Sequence, residues 1–266
     1  MTSGKVTFVG AGPGAADLIT LRGARALAAA DVVIWAASLV HPDVLENARA
    51  GARIVDSAQL TLEQTVALYR QAASEGLHVV RLHSGDPGLW GAVAEQLERC
   101  EELGLDTEIV PGVSAFSAVA AAVKRELTVP EVAQSVILTR LGGGKTPMPS
   151  GESVSEFARH GTTMAIFLAA ARSGQLQTEL RDGGYADETP VVVAYQASWP
   201  DELIVWCTVG TLAETVKAHK LWKHTLFLVG PGLGASGTRS HLYHPGHFHG
   251  FRRADKTARA ELRRRP

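Results

Sequence analysis

The stretch His83-Ser84-Gly85-Asp86-Pro87-Gly88-Leu89-Trp90-Gly91 decides how the chain is interpreted. Residues 77–82 (LHVVRL) before it have the length and β-branched content of a buried strand, and a helical pattern begins at Ala92. Asp86 therefore follows the carboxyl end of a strand, where open α/β sheets bind their ligands. The same pattern is also typical of an ordinary strand-to-helix turn in which Asp86 is a cap, and this stretch alone leaves both interpretations open.

Composition excludes several classes of protein. The chain has 266 residues, enough for one large or two modest domains, and 45% of them are hydrophobic. Its 26 basic residues balance 27 acidic ones, which argues against a dedicated nucleic-acid binder. Cys100 and Cys207 are the only cysteines, so we expect neither a disulfide framework nor a cysteine metal site. A cytoplasmic protein is expected, because no signal-peptide pattern or apolar run of membrane-spanning length is present.

A glycine-rich loop follows the first predicted strand, residues 6–9. Gly10-Ala11-Gly12-Pro13-Gly14, with Ala15, matches a dinucleotide-binding fingerprint. That fingerprint requires a helix that opens at the glycines, whereas the first helix here is predicted to begin after Thr20. It also requires an acid at the end of the second strand, residues 32–36, which ends in alanine and serine. We therefore interpret the loop as facing a ligand but not as a pyrophosphate site.

A third turn of small residues, Pro111-Gly112-Val113-Ser114-Ala115, follows a strand predicted for residues 106–110. It lacks the final glycine of the hydrolase motif G-x-S-x-G, so nucleophilic serine chemistry is not indicated. Ser114 is either a helix cap or a small residue that lets a ligand approach. Strands and helices alternate through this half, which predicts a mainly parallel sheet covered on both faces.

The second half predicts another α/β unit with some antiparallel pairing. We expect an N-terminal domain at residues 1–118, a C-terminal domain at residues 119–240 and an extended basic tail at residues 241–266. Gly144-Lys145-Thr146 resembles part of a phosphate loop, but Thr139 replaces its first glycine and Pro147 disfavours the helix that must follow. The tail histidines have no helix face on which to hold a metal, so no metal site is expected.

The three turns, at residues 10–14, 84–87 and 111–115, have an order and spacing that resemble the tetrapyrrole methylase family. Residues 35–40 (WAASLV), 126–132 (ELTVPEV), 137–140 (ILTR), 198–202 (SWPDE) and 242–243 (LY) are similar to its precorrin-4 C-11 branch, which acts in cobalamin biosynthesis. The resemblance spans residues 5 to about 252. It implies a two-domain fold distinct from the Rossmann methyltransferases, with a mainly parallel N-terminal sheet and a mixed C-terminal sheet. It also implies methyl transfer from S-adenosylmethionine (SAM) to a tetrapyrrole, by a homodimer.

The resemblance further implies that SAM lies in the cleft between the domains, where Asp86 is expected to orient it. The expected contacts are Pro13, Ser84, Gly85, Asp86, Leu89, Ser114, Ala115, Leu168, Tyr195, Ala197, Thr225 and Leu226. Related uroporphyrinogen methylases have a proposed catalytic aspartate after the second strand; Ala36 stands there, so no catalytic residue is predicted. Arg140, Lys145 and the tail histidines are candidates for binding the carboxylates of the tetrapyrrole. Whether that substrate contains cobalt, and which ring carbon is methylated, stay open, as does a non-catalytic SAM-binding role.

Overall fold

Residues 4–143, 146–235 and 241–262, which the computed structural model describes, contain two five-stranded sheets. The first has the order β3-β2-β4-β1-β5, and all its neighbouring strands are parallel. The second has the order β6-β7-β10-β8-β9, in which only β6 and β7 are parallel. The strands are β1 Lys5–Gly10, β2 Val32–Trp35, β3 Arg53–Asp56, β4 His78–His83, β5 Asp106–Val110, β6 Val136–Arg140, β7 Thr163–Phe167, β8 Pro190–Tyr195, β9 Leu203–Thr208 and β10 Thr225–Val229. The predicted combination of a parallel and a mixed sheet is confirmed.

Helices connect most of these strands. They are α1 Leu21–Ala29, α2 Leu62–Glu75, α3 Val93–Glu102, α4 Ala115–Ala122, α5 Val154–Ala158, α6 Ser173–Asp182, α7 Leu212–Ala218 and α8 Lys256–Leu262. Short 3-10 turns lie at Ala16–Leu18, Pro42–Asn47, Ala170–Arg172, Val209–Thr211, Pro231–Leu233 and His241–Tyr243. Thr20 and Thr61 cap α1 and α2 as predicted, because each hydroxyl accepts a hydrogen bond from a backbone amide of the first turn. Within the described ranges, no helix is long and apolar enough to cross a bilayer.

The central strands of the first sheet, β1, β2 and β4, are buried on both faces, whereas the edge strands β3 and β5 are largely exposed. Successive residues of a strand point to opposite faces, so Phe8 packs under α2 and α3 while Val9 packs under α1. β1 and β4 are therefore buried along most of their length, as expected for the central strands of a parallel sheet.

The second sheet has α5, α6 and α7 on one face and α4 on the other. The boundary expected between residues 118 and 119 falls inside α4, where Val119 is buried with Val192 and Leu228 of this sheet. In packing terms α4 therefore belongs with the second sheet. The division into two domains itself stays a prediction.

Part of the tail is helical, whereas the sequence predicted an extended segment. Residues 256–262 form α8, and the Asp255 carboxylate accepts a hydrogen bond from the Ala258 amide in its first turn. A side-chain acceptor before a run of good helix formers favours this local helix. Among the described residues, no three His, Cys, Asp or Glu side chains gather as a metal site requires.

The carboxyl ends of β1, β4 and β5 touch through glycines. A Cβ atom on Gly112 would lie 2.1 Å from the Gly85 carbonyl oxygen and 2.7 Å from the Gly10 Cα atom. Gly12 and Gly85 also exchange backbone hydrogen bonds of 2.7 and 3.2 Å. The three turns that suggested a ligand site are therefore in direct backbone contact, at distances that leave no room for a side chain.

We expect Gly112→Ala to lower the free energy of unfolding by about 3 kcal/mol, because its methyl group cannot be accommodated without separating the strand ends. Urea denaturation followed by circular dichroism measures this. Gly174→Ala is the matched control, since the new Cβ would meet nothing within 4 Å at the start of α6. Equal stability of Gly112→Ala and the wild type would contradict the close contact.

Candidate active site

A cavity of about 520 Å³ lies between the two sheets. One wall comes from the turns of the first sheet and from the start of α4: Pro13, Leu39, Ser84, Gly85, Asp86, Leu89, Trp90, Ser114 and Ala115. The opposite wall comes from the second sheet and its turns: Phe167, Leu168, Ala169, Ala170, Ala171, Ala194, Gln196, Ala197, Trp199, Trp222, Lys223, His224, Thr225 and Leu226. Most of these side chains are small or apolar, so the cavity resembles a typical small-molecule site with few polar groups.

Asp86 joins two of the turns. Its Oδ1 accepts a hydrogen bond of 2.7 Å from the Gly88 amide, and its Oδ2 accepts one of 2.8 Å from the Gly112 amide. Hydrogen bonds to a carboxylate are stronger than neutral ones, so Asp86 fixes the turn after β4 against the turn after β5. The interpretation of Asp86 as a helix cap is wrong, because α3 begins later and its N-cap residue is Ala92.

Ser114 occupies the N-cap position of α4, but its hydroxyl accepts no capping hydrogen bond. The residue is buried and lines the cavity. Of the two interpretations open from sequence, the structure favours a small residue facing a ligand space over a helix cap.

The glycine-rich loop is held by the second sheet. The Trp199 Nε1 donates a 3.0 Å hydrogen bond to the Pro13 carbonyl, and the Ala15 amide donates one of 3.0 Å to the Ser198 hydroxyl. A Cβ atom on Gly14 would lie 2.1 Å from the Trp199 ring. Gly14 is therefore required by a contact with the second sheet, and not by the dinucleotide-binding fingerprint, in which its position is unspecified.

A second contact between the sheets lies at the cavity wall, where the ring centroids of Trp90 and Phe167 are 4.7 Å apart.

Backbone strain is concentrated around the same cavity. Trp90, Leu168, Gln196 and His224 all line it and have left-handed φ angles between 46° and 54°. Non-glycine residues rarely adopt this conformation, and such strain clusters at ligand sites, where the surrounding structure enforces it.

The histidines near the cavity are held neutral. Burial, and next the positive charge of Arg81, lower the pKa of His83 to about 3. Its Nε2 is one of the buried side-chain atoms without a hydrogen-bond partner among the described residues. Burial, and next the charge of Lys223, also lower the pKa of His224. Neither imidazole therefore contributes a positive charge near pH 7.

The model of the family Tetrapyrrole (Corrin/Porphyrin) Methylases matches residues 5–213. The chain belongs to the tetrapyrrole methylase family. It is 45% identical over 253 residues to the cobalt-precorrin-4 C(11)-methyltransferase of Methanocaldococcus jannaschii, covering 95% of this chain and 97% of that one. It is 48% identical over 239 residues to the precorrin-4 C(11)-methyltransferase of Mycobacterium tuberculosis, covering 90% and 95%.

Solved structures show the same architecture. A cobalt precorrin-4 methyltransferase, described as a cobalamin biosynthetic enzyme, matches with a TM-score of 0.83 and 41% identity, over 86% of this chain and 95% of that one. The uroporphyrin-III C-methyltransferase from Thermus thermophilus complexed with S-adenyl homocysteine matches with a TM-score of 0.71 and 28% identity, over 85% and 92%. The predicted family and its fold are confirmed.

The structure brings together the predicted contact residues of this tetrapyrrole methylase, with one exception. Pro13, Ser84, Gly85, Asp86, Leu89, Ser114, Ala115, Leu168, Ala197, Thr225 and Leu226 all line the cavity. Tyr195 does not line it, whereas Ala194 and Gln196 do. Strand alternation explains this, because Ala194 faces α4 while Tyr195 lies on the opposite face of β8 with Val193. That these residues bind SAM stays a prediction.

The described candidates for carboxylate binding do not line the cavity. The Arg140 guanidinium donates to the Thr146 and Pro147 carbonyls and does not line the cavity. Lys145 lies outside the described residues, and the described tail histidines His244, His247 and His249 are not among the lining residues. Sequence reasoning instead missed Trp90, Trp222 and Lys223 as lining residues. No local pattern marks the last two, which precede β10 in an irregular segment.

The low pKa of His83 predicts acid sensitivity. An unfolded histidine takes up a proton near pH 6.5, whereas folded His83 does so only near pH 3, so stability is lost as the pH falls through this window. From pH 7 to pH 5 the loss due to His83 is about 2 kcal/mol. Urea denaturation at pH 7 and at pH 5 measures the free energy of unfolding. Between these pH values it should fall by about 2 kcal/mol less in His83→Gln than in the wild type. Exposed His219→Gln is the control, and an unchanged decrease in His83→Gln would contradict the burial argument.

Proposed function

We propose that this chain is a SAM-dependent methyltransferase that methylates C-11 of precorrin-4 to give precorrin-5 in cobalamin biosynthesis. The observation that carries the proposal is 46–48% identity to proteins named precorrin-4 C(11)-methyltransferase, over at least 90% of the chain. The alternative substrate is cobalt-precorrin-4. It is supported by the similarity to the relative from Methanocaldococcus jannaschii and to the solved cobalt precorrin-4 methyltransferase structure. Both substrates have the same reacting carbon, and they differ in whether the tetrapyrrole contains cobalt.

The cavity fits SAM in size and chemistry. Its volume of about 520 Å³ lies in the range of small-molecule sites, and its walls come from both sheets. Gly85 has a left-handed φ of 61°, and a Cβ there would approach only Ser114 and Val113, at 3.8 to 4.0 Å. This open space beside the backbone would let a ligand approach the Ser84–Asp86 turn closely. We propose that this turn and Ser114 hold one side of SAM, while Ala197, Thr225 and Leu226 hold the other.

When bound, SAM supplies an electrophilic methyl group attached to a sulfonium centre. The task of the protein is then to orient the reacting groups, which can contribute roughly 7–11 kcal/mol to a reaction of this type. Asp86 holds the turns in register through two backbone amides, and the apolar walls exclude water from the reacting carbon. Because Asp86 joins the two turns through both of its oxygens, we assign it a positioning role.

We also propose that the enzyme acts in the cytoplasm as a homodimer. The homodimer is supported by the family resemblance, and the cytoplasmic site by two cysteines that form no disulfide. Light scattering on the purified protein measures the mass, and a value equal to one chain of 28.2 kDa would contradict the dimer.

Asp86→Ala should weaken SAM binding and lower the free energy of unfolding by about 2 kcal/mol, because the Gly88 and Gly112 amides lose a charged acceptor. Equilibrium dialysis with labelled SAM and urea denaturation measure the two effects. Asp182→Ala, at an exposed site at the end of α6, is the control. Wild-type SAM affinity in Asp86→Ala would show that Asp86 does not position the cofactor.

Anaerobic incubation with methyl-labelled SAM and precorrin-4, and separately with cobalt-precorrin-4, tests the reaction. NMR of the product should place the label at C-11, and the faster of the two reactions identifies the substrate. Ala115→Trp should abolish turnover by filling the cavity, whereas Ala121→Trp, on the exposed side of α4, should retain it. Label at another ring carbon, or no transfer to either compound, would refute the proposed activity.

A further inference from the structure

A tryptophan and a lysine at the cavity are not used by the proposed cofactor contacts. Trp222 and Lys223 lie just before β10, separated from it by His224, and both are exposed, Trp222 to 65%. The Lys223 Nζ lies 4.8 Å from the centroid of the Trp222 ring. A cation–π contact of this kind keeps the ammonium group beside the aromatic face.

The backbone of this segment is fixed beside the cavity. The Thr225 hydroxyl donates a 2.8 Å hydrogen bond to the Lys223 backbone carbonyl. The Gln196 backbone N–H donates one of 2.9 Å to the His224 backbone carbonyl. Thr225, Gln196 and His224 all line the cavity. These bonds therefore hold the lysine at the cavity wall on the side of the second sheet.

The positive charge of Lys223 is available to a ligand. Lys223 is the only lysine or arginine among the lining residues, and in the described part of the chain it forms no ion pair with a carboxylate. Asp86, the acidic residue of the lining, directs both oxygens to backbone amides of its own wall. Opposite the Asp86 wall, the cavity thus has an unpaired cation next to an exposed aromatic ring.

We propose that Lys223 binds a peripheral carboxylate of the tetrapyrrole, and that Trp222 contacts the adjoining apolar macrocycle. The assignment rests on the proposed function, because a tetrapyrrole of this pathway has acetate and propionate groups around an apolar ring. A cation beside an exposed aromatic face matches that combination. SAM also has a carboxylate, so binding of the two ligands has to be measured separately.

The test uses the purified full chain with Lys223→Gln, the charge-conserving Lys223→Arg and the control Lys217→Gln, which is exposed on α7 and outside the cavity. Tryptophan fluorescence quenching under anaerobic conditions gives the Kd for precorrin-4, and equilibrium dialysis gives the Kd for S-adenosylhomocysteine. Lys223→Gln should raise the Kd for precorrin-4 about tenfold and leave that for S-adenosylhomocysteine unchanged. Lys223→Arg should recover most of the affinity, and Lys217→Gln should behave as the wild type.

Salt provides a readout that a purely structural role would not change. The affinity of the wild type for precorrin-4 should fall more steeply with ionic strength than that of Lys223→Gln, because one charge pair is lost in the variant. Unchanged precorrin-4 affinity in Lys223→Gln, or a loss confined to S-adenosylhomocysteine, would overturn the assignment. If the wild type bound neither precorrin-4 nor cobalt-precorrin-4, the proposed function would fail first, which separates the two conclusions; if it bound only cobalt-precorrin-4, the same variants are measured with that compound.

Discussion

Backbone contact among three glycines at the carboxyl ends of β1, β4 and β5 is the constraint on which the site depends. Gly10, Gly85 and Gly112 approach so closely that a Cβ atom on Gly10 or Gly112 would overlap a neighbouring main chain. Asp86 then joins two of these turns through backbone amides. The result is one wall of a cavity made largely of main chain and small side chains, close to which a flat or charged ligand can lie.

The second sheet completes the cavity through contacts that are distant in sequence. Trp199 packs against Pro13 and Gly14, and Phe167 packs against Trp90. Four of the non-glycine residues that line the cavity between these contacts have left-handed conformations, among them Leu168, which is 67% exposed. A left-handed backbone is costly for a leucine, and such strain is consistent with a site shaped for a ligand.

The sequence predicted those parts of the fold that local patterns control. Strand ends, the caps Thr20 and Thr61, and the turn containing Asp86 depend on residues close together in the chain. The requirement for glycine at position 14 could not be predicted from sequence, because it comes from contact with the Trp199 ring, which is distant along the chain. Tyr195 does not line the cavity, because a shift of one residue along β8 changes the face on which a side chain lies. The left-handed backbone at Trp90 and the position of Lys223 follow from tertiary packing and leave no local signal.

We propose that SAM binds between the two sheets, in contact with both walls of the cavity. A crystal structure of the full chain with S-adenosylhomocysteine tests it most directly. We expect ligand density between the Ser84–Asp86 turn and Ala197, with the Trp199–Pro13 contact retained. Density for S-adenosylhomocysteine outside this cavity, or contacts to one sheet alone, would contradict it.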